Sequence, residues 1–199
     1  MRYINLSITS ALMVLMALPA FAQDLGKGIE AYRNGDYAEA LAQWRPLAEA
    51  GHAPAQANLG HLYDKGHGVD QDYTKALKWY SRAAEQGDPG ALFNLGHMYD
   101  TGQGVAQDFR RAFTLYRNAA KKGDPNAQFS LGGAYYFGKG VVQNYQIAHV
   151  WLNIASVTSA RKDFAEIRDR SSLKLSPDAL IRAQMIAEQC LESNYEYCP

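Results

Sequence analysis

Three times, at an interval of 36 residues, the chain returns to the same letters. Leu59, Leu95 and Leu131 are each followed by glycine (Gly60, Gly96, Gly132) and then by Tyr63, Tyr99 and Tyr135. The register continues through Gly66, Gly102 and Gly138, through Gly68, Gly104 and Gly140, and through Val69, Val105 and Val141. It runs on through Tyr73, Phe109 and Tyr145 to Ala76, Ala112 and Ala148, then to Ala83, Ala119 and Ala155. Coincidence at so many positions means one supersecondary unit copied three times. A unit this short cannot bury its own apolar face, so the copies must stack.

Each unit reads as two helices, A and B. In the second copy helix A covers Pro89 to Asp100, with Ala91, Leu95 and Tyr99 at helical spacing. Asp88-Pro89 and Asp124-Pro125 are start signals, an acid that caps the free N–H groups followed by proline in the first turn. A glycine ends the helix, because only glycine enters a left-handed turn without steric cost. Helix B begins after Asp72, Asp108 or Asn144 and ends near Gly87 or Gly123. Alanines 76 and 83 let neighbouring helices approach, while Trp79 and Tyr80 fill volume.

Before these copies, Asp36-Tyr37, Ala40, Trp44 and Gly51 match Asp72-Tyr73, Ala76, Tyr80 and Gly87, with a first helix near Leu25 to Asn34. After Trp151 the pattern loosens. Phe164 and Ile167 suggest a helix, and Ser176-Pro177-Asp178 starts another that buries Leu180, Ala183, Ala187 and Cys190. The expected architecture is an all-α, right-handed α-solenoid of about four antiparallel helix hairpins plus a C-terminal helical cap made by this last pair. The divisions are 23–52 for a degenerate tetratricopeptide-like N-terminal repeat, then 53–88, 89–124 and 125–158, with 159–199 as the cap.

Residues 1–22 read as an export signal. Arg2 precedes a mostly apolar run, Leu6 to Leu18, and Ala20-Phe21-Ala22 supplies a small–x–small cleavage site before Gln23. The run is too short to span a bilayer comfortably. The expectation is a periplasmic or secreted protein without membrane insertion after cleavage. Basic and acidic residues number 20 each, so no net field draws the chain to nucleic acid. The two cysteines, Cys190 and Cys198, lie in the last ten residues, and in an oxidising compartment one disulfide pinning the tail is the simplest expectation.

The string LGHLYDKGHGVDQDYTKALKWYSRAAEQG, from Leu59 to Gly87, resembles the Sel1-like repeat, a branch of the tetratricopeptide superfamily. The likeness recurs from Leu95 and from Leu131 and covers about residues 26 to 158. Asn144 stands where the motif has an acid, and the cysteine pairs that some members carry in every repeat are missing. The resemblance implies a scaffold or adaptor that holds a protein or peptide on the concave side, lined by A helices. By the same likeness, the groove-facing residues are Asn58, His61 and Asp64, then Phe93, Asn94, His97 and Asp100, then Phe129, Ser130 and Tyr136. Phe93 and Phe129 are expected as an apolar floor flanked by amides, the arrangement of an interface hot spot.

Other chemistries fit less well. His61-x-x-Asp64 and His97-x-x-Asp100 sit on helices about 8–10 Å apart, so repetition explains them better than a metal site. Gly66-x-Gly68 lacks the third glycine or lysine of a phosphate loop. No nucleophile, acid–base or cofactor motif stands out, and neither an enzyme nor a bound cofactor is expected. An alternative is a glycan-binding or glycan-processing envelope protein, with Tyr63, Tyr99, Tyr135, Tyr136 and Trp151 as stacking surfaces.

Overall fold

The computed structural model describes residues 24–159 and 161–199, so the expected export signal and its cleavage site lie outside the described residues. Among the described residues the chain is all helical. Helices α1 (Leu25–Arg33) and α2 (Tyr37–Glu49) form the first hairpin. The three copies follow as α3 (Ala53–Lys65) with α4 (Tyr73–Glu85), α5 (Pro89–Thr101) with α6 (Phe109–Ala120), and α7 (Pro125–Phe137) with α8 (Tyr145–Ser159). Helices α9 (Lys162–Ser172) and α10 (Pro177–Glu192) complete the chain.

The helices begin where side chains satisfy their free N–H groups. The amide of Ala91 donates to Asp88 Oδ1 at 2.8 Å, that of Ala127 to Asp124 at 2.7 Å, and that of Arg111 to Asp108 at 3.0 Å. Asn144 does the same for Ile147 at 3.0 Å, so the change from acid to amide keeps the cap. The A helices of the copies stop at Gly66, Gly102 and Gly138, with φ of 70°, 74° and 71°, a region that other residues rarely enter.

Within a copy the two helices meet at the glycine of the Leu-Gly pair. A Cβ on Gly60, Gly96 or Gly132 would come within 2.8, 2.9 or 2.7 Å of Tyr80, Tyr116 or Leu152. Between copies the second loop glycine rests on the previous hairpin: Gly68 on Tyr37, Gly104 on Tyr73, and Gly140 on Phe109. From α1 to α9 each helix packs on the next, and α3 also touches α5 directly, in keeping with A helices on the inner side of the curve. The buried bulk comes from Trp44, Tyr80, Tyr116 and Trp151, set among alanines that are almost fully covered.

The two C-terminal helices cover the last copy, each packing on α8. Helix α9 packs on α8 as an A helix would, but α10 turns back onto α8 instead of pairing with α9. Ala183, Ala187 and Cys190 are buried there, as is Val150 opposite, and Leu180 is half-buried. Cys190 and Cys198 form a disulfide with a Cα–Cα distance of 4.8 Å. The tail it closes brings the Tyr195 ring up to Gly123, at the junction of α6 and α7. None of the described helices is long and apolar enough to cross a membrane.

Candidate protein-binding face

The inner face is built from the same turns of α3, α5 and α7, and its three copies carry different side chains. In the first copy it is closed. His61 Nε2 lies 2.9 Å from the Tyr32 hydroxyl, which also meets His67 Nδ1 at 3.0 Å. The His67 ring stacks on Tyr37 with centroids 4.2 Å apart. Burial, with Lys65 nearby, lowers the pKa of His61, so the neutral ring is favoured. Asp64 is only 8% exposed and pairs with Lys65 at 2.9 Å. Of the residues expected here, Asn58 alone stays half-exposed without being drawn into this cluster.

In the second copy Asn94 is half-exposed and His97 exposed. Phe93 leans on Tyr116, with ring centroids 5.9 Å apart. Asp100 meets Lys139 of the following loop at 3.6 Å. Burial first, then the charge of Asp100, holds the Tyr116 hydroxyl well above its ordinary pKa, so it remains a neutral donor at any physiological pH.

In the third copy Phe129 stacks on Phe164 of α9, with centroids 4.2 Å apart and planes 10° from parallel. The expected floor of Phe93 and Phe129 is therefore partly roofed: one ring is tied to its own B helix, the other is covered by α9. What lies open instead is Phe137, 68% exposed, and the ground around Gly133. Ser130 is half-exposed beside it, and Tyr136 packs edge-on against Phe137 and Tyr145 at 4.9 and 5.2 Å.

Gly133 stands where the earlier copies have His61 and His97. Its neighbour Gly132 is required by packing, but a Cβ on Gly133 would meet nothing within 4 Å. Glycine inside a helix costs about 0.5–1 kcal/mol relative to alanine, and no contact offsets that here. Two hollows flank the bare backbone. One, of about 330 Å³, lies between α7 and α9, walled by Phe129, Tyr136, Phe137, Ile167 and Arg170. The other, of about 160 Å³, lies where α5, α6 and α7 meet, with Asp100, Phe113, Tyr116, Ser130 and Lys139 in its wall. In the sequence Gly133 reads as half of a Gly-Gly pair, and the one sign of a role was that it breaks the histidine register.

Of the aromatic residues considered for sugar stacking, all but Tyr136 are taken up by the fold. Trp151 is 0% exposed. Tyr63, Tyr99 and Tyr135 pack against core clusters, and Lys75 and Arg111 lie over the first two rings. Among the described residues no three of His, Cys, Asp or Glu converge as a metal site would require.

Known proteins place this geometry. A family model described as the Sel1 repeat matches residues 53–88, 89–124 and 125–156. The crystal structure of a Sel1 repeat protein from Oxalobacter formigenes is similar, with 34% identity and a TM-score of 0.65 over 69% of this chain and 55% of that one. So is c5321, a protective antigen of uropathogenic Escherichia coli strains displaying an SLR fold. There the identity is 29% and the TM-score 0.55, over 87% of this chain and 47% of the antigen. The chain thus spans about half the length of each of these structures. A comparison with curated proteins finds no match. Sel1 repeats are in general scaffolds for protein interaction, and the family is typically non-catalytic. With three consecutive matches over more than half its length, the chain belongs to the Sel1 repeat family.

Proposed function

We propose that this protein works outside the cytoplasm as a binding scaffold, holding an extended segment of a partner protein along the inner face of α3, α5 and α7. The observation that carries the reading is the row Asn58, Asn94 and Ser130: one polar, half-exposed side chain per copy, in register on neighbouring A helices. Amides and hydroxyls repeated along a groove suit the regularly spaced N–H and C=O groups of an extended chain. A disulfide at Cys190–Cys198 fits export to an oxidising compartment. Binding without chemistry is the role assigned, since each prominent polar group of the face has a capping, packing or groove part.

A photo-crosslinking amino acid tests the reading. Placed at Asn94 or His97 it should trap a partner in an envelope extract, and placed at Arg110 or Lys121, on the outer face of the array, it should not. Adducts from the outer positions alone would refute the assignment. Export is checked separately by fractionation, with Gln23 expected as the first residue of the mature chain.

A further inference from the structure

We infer that the hollow at Gly133 is a side-chain pocket, and that it selects a partner segment in which a large apolar residue stands next to an acidic one. The inference rests on the scaffold reading above and adds to it the chemistry of the segment held.

Four observations converge. First, Gly133 stands inside α7, where glycine is unfavourable and no neighbour requires it, since a Cβ there would meet nothing within 4 Å. What the missing side chain leaves is access to bare helix backbone. Second, the walls are apolar and well defined. Phe129 is fixed by its stack on Phe164, and Tyr136 by its contacts with Phe137 and Tyr145, so the hollow exists before a guest arrives.

Third, the size fits. At about 330 Å³ the hollow stands at the lower end of the range of small-molecule pockets, roughly 300–1,000 Å³, which suits one large side chain more than a folded surface. Fourth, the rim is cationic. Arg170, exposed on α9, forms no ion pair among the described residues, and Lys139 stands on the other side of Phe137 in the wall of the smaller hollow. Lys139 is held by Asp100 and by the Phe109 ring, 5.2 Å away. Arg170 is therefore the free charge, and a carboxylate beside the buried apolar group completes it. The other copies cannot offer this pocket, because His61 and His97 occupy the place of the missing side chain.

Phage-displayed random dodecapeptides, panned against residues 23–199, test the pocket. Enriched peptides should carry Leu, Met, Phe or Trp next to Asp or Glu. Gly133→Leu should weaken them at least tenfold in fluorescence polarisation, while Gly133→Ala, which adds only a Cβ to open space, should leave affinity within about twofold. Arg170→Glu should reverse the preference to Lys or Arg beside the apolar residue. Melting temperatures of both Gly133 variants at or above that of the parent would show that the fold is intact.

Peptides that ignore Gly133→Leu but are lost with Asn94→Ala and Phe93→Ala would overturn the pocket and leave the scaffold reading standing. Indifference to all of these substitutions would remove both. Enrichment without an apolar–acidic pair, or no enrichment over an unrelated solenoid, would overturn the pocket, and the crosslinking experiment would then judge the scaffold alone. A dimer that Gly133→Leu dissociates in sedimentation would assign the hollow to a second copy of the chain, and would equally overturn the peptide occupant.

Discussion

Helices α6 and α8 hold the same place in successive copies, yet their outer faces have opposite chemistry. On α6 that face reads Arg110, Arg111, Thr114, Arg117, Asn118, Lys121, with no acid between Phe109 and Lys122. The residues 36 further on are Gln146, Ile147, Val150, Asn153, Ile154 and Val157. The cations of α6 are exposed, whereas Val150 and Ile154 are 0% exposed beneath α10. Both are B helices in the same register, with α8 running three residues further than α6, and the side chains that face α10 are where the two differ most. A repeat array is closed at one end not by a special fold but by changing about four surface positions of the last B helix.

Giving α8 the side chains of α6 is the most severe way to break the comparison. The variant Ile147→Arg, Val150→Thr, Ile154→Asn, Val157→Lys removes two fully buried aliphatic groups, each worth about 1.5–3 kcal/mol of burial. The expected loss is about 3–6 kcal/mol, concentrated in the contact with α10. Limited proteolysis should then cut the connection between α9 and α10, and amide exchange should speed up in α10 while α3 to α5 stay protected. Unchanged protection of α10 would mean that the disulfide-closed tail holds the cap by itself.

The second effect belongs to that tail. Cys190→Ser with Cys198→Ser opens a short loop, and about 2 kcal/mol should be lost. Reduction of the parent protein should lower the melting temperature by a similar amount. Since Tyr195 meets Gly123, faster exchange should reach the α6–α7 junction as well as α10.

A titration sharpens the comparison further. His149 of α8 replaces Phe113 of α6, and its ring Nδ1 lies 2.7 Å from Ser171 Oγ on α9. Burial first, opposed by the hydrogen bond with the Arg168 backbone, lowers the pKa of the ring below its ordinary value. The folded state therefore holds a proton less readily than the unfolded chain does. Stability is complete above about pH 6.5 and falls as the pH drops below it, by at most about 1.4 kcal/mol per pH unit. His149→Phe, the residue of α6, should abolish the part of this loss seen in α8 and α9 by amide exchange. The parallel loss around His61, whose pKa burial also lowers, should persist.

Most of the array is readable in the letters because each structural task falls to a residue with a distinct backbone habit. Asp88-Pro89 starts α5, Gly102 ends it, and the period carries both assignments to the other copies. The inner face was less readable. His61 and His97 align in sequence, but only His61 is tied down, by Tyr32 from a hairpin that lies outside the strict register. Gly132 and Gly133 are the same letter, and only the position of Leu152 shows that one is packed and the other open. The turn of α10 onto α8 did leave a trace, the apolar run from Ile147 to Val157, visible once it is compared with α6.

The smallest expected effect separates two residues that otherwise look identical. Tyr80 and Tyr116 hold the same position on α4 and α6, and α8 has Leu152 there, with no hydroxyl at all. The Tyr80 hydroxyl is buried without a hydrogen-bond partner among the described residues, whereas Tyr116 shares the wall of the smaller hollow with Asp100 and Ser130, whose polar groups can pair with its hydroxyl. An unpaired buried hydroxyl costs desolvation that nothing returns, while a paired one contributes about 1 kcal/mol. Tyr80→Phe should therefore be neutral or raise stability slightly, and Tyr116→Phe should lower it by about 1 kcal/mol. Urea midpoints of the two variants, measured side by side, decide it. Equal losses would mean that the Tyr80 hydroxyl is satisfied in solution. The first copy would then carry one more bond beside the cluster of Tyr32, His61 and His67, and would be the more firmly closed end of the groove.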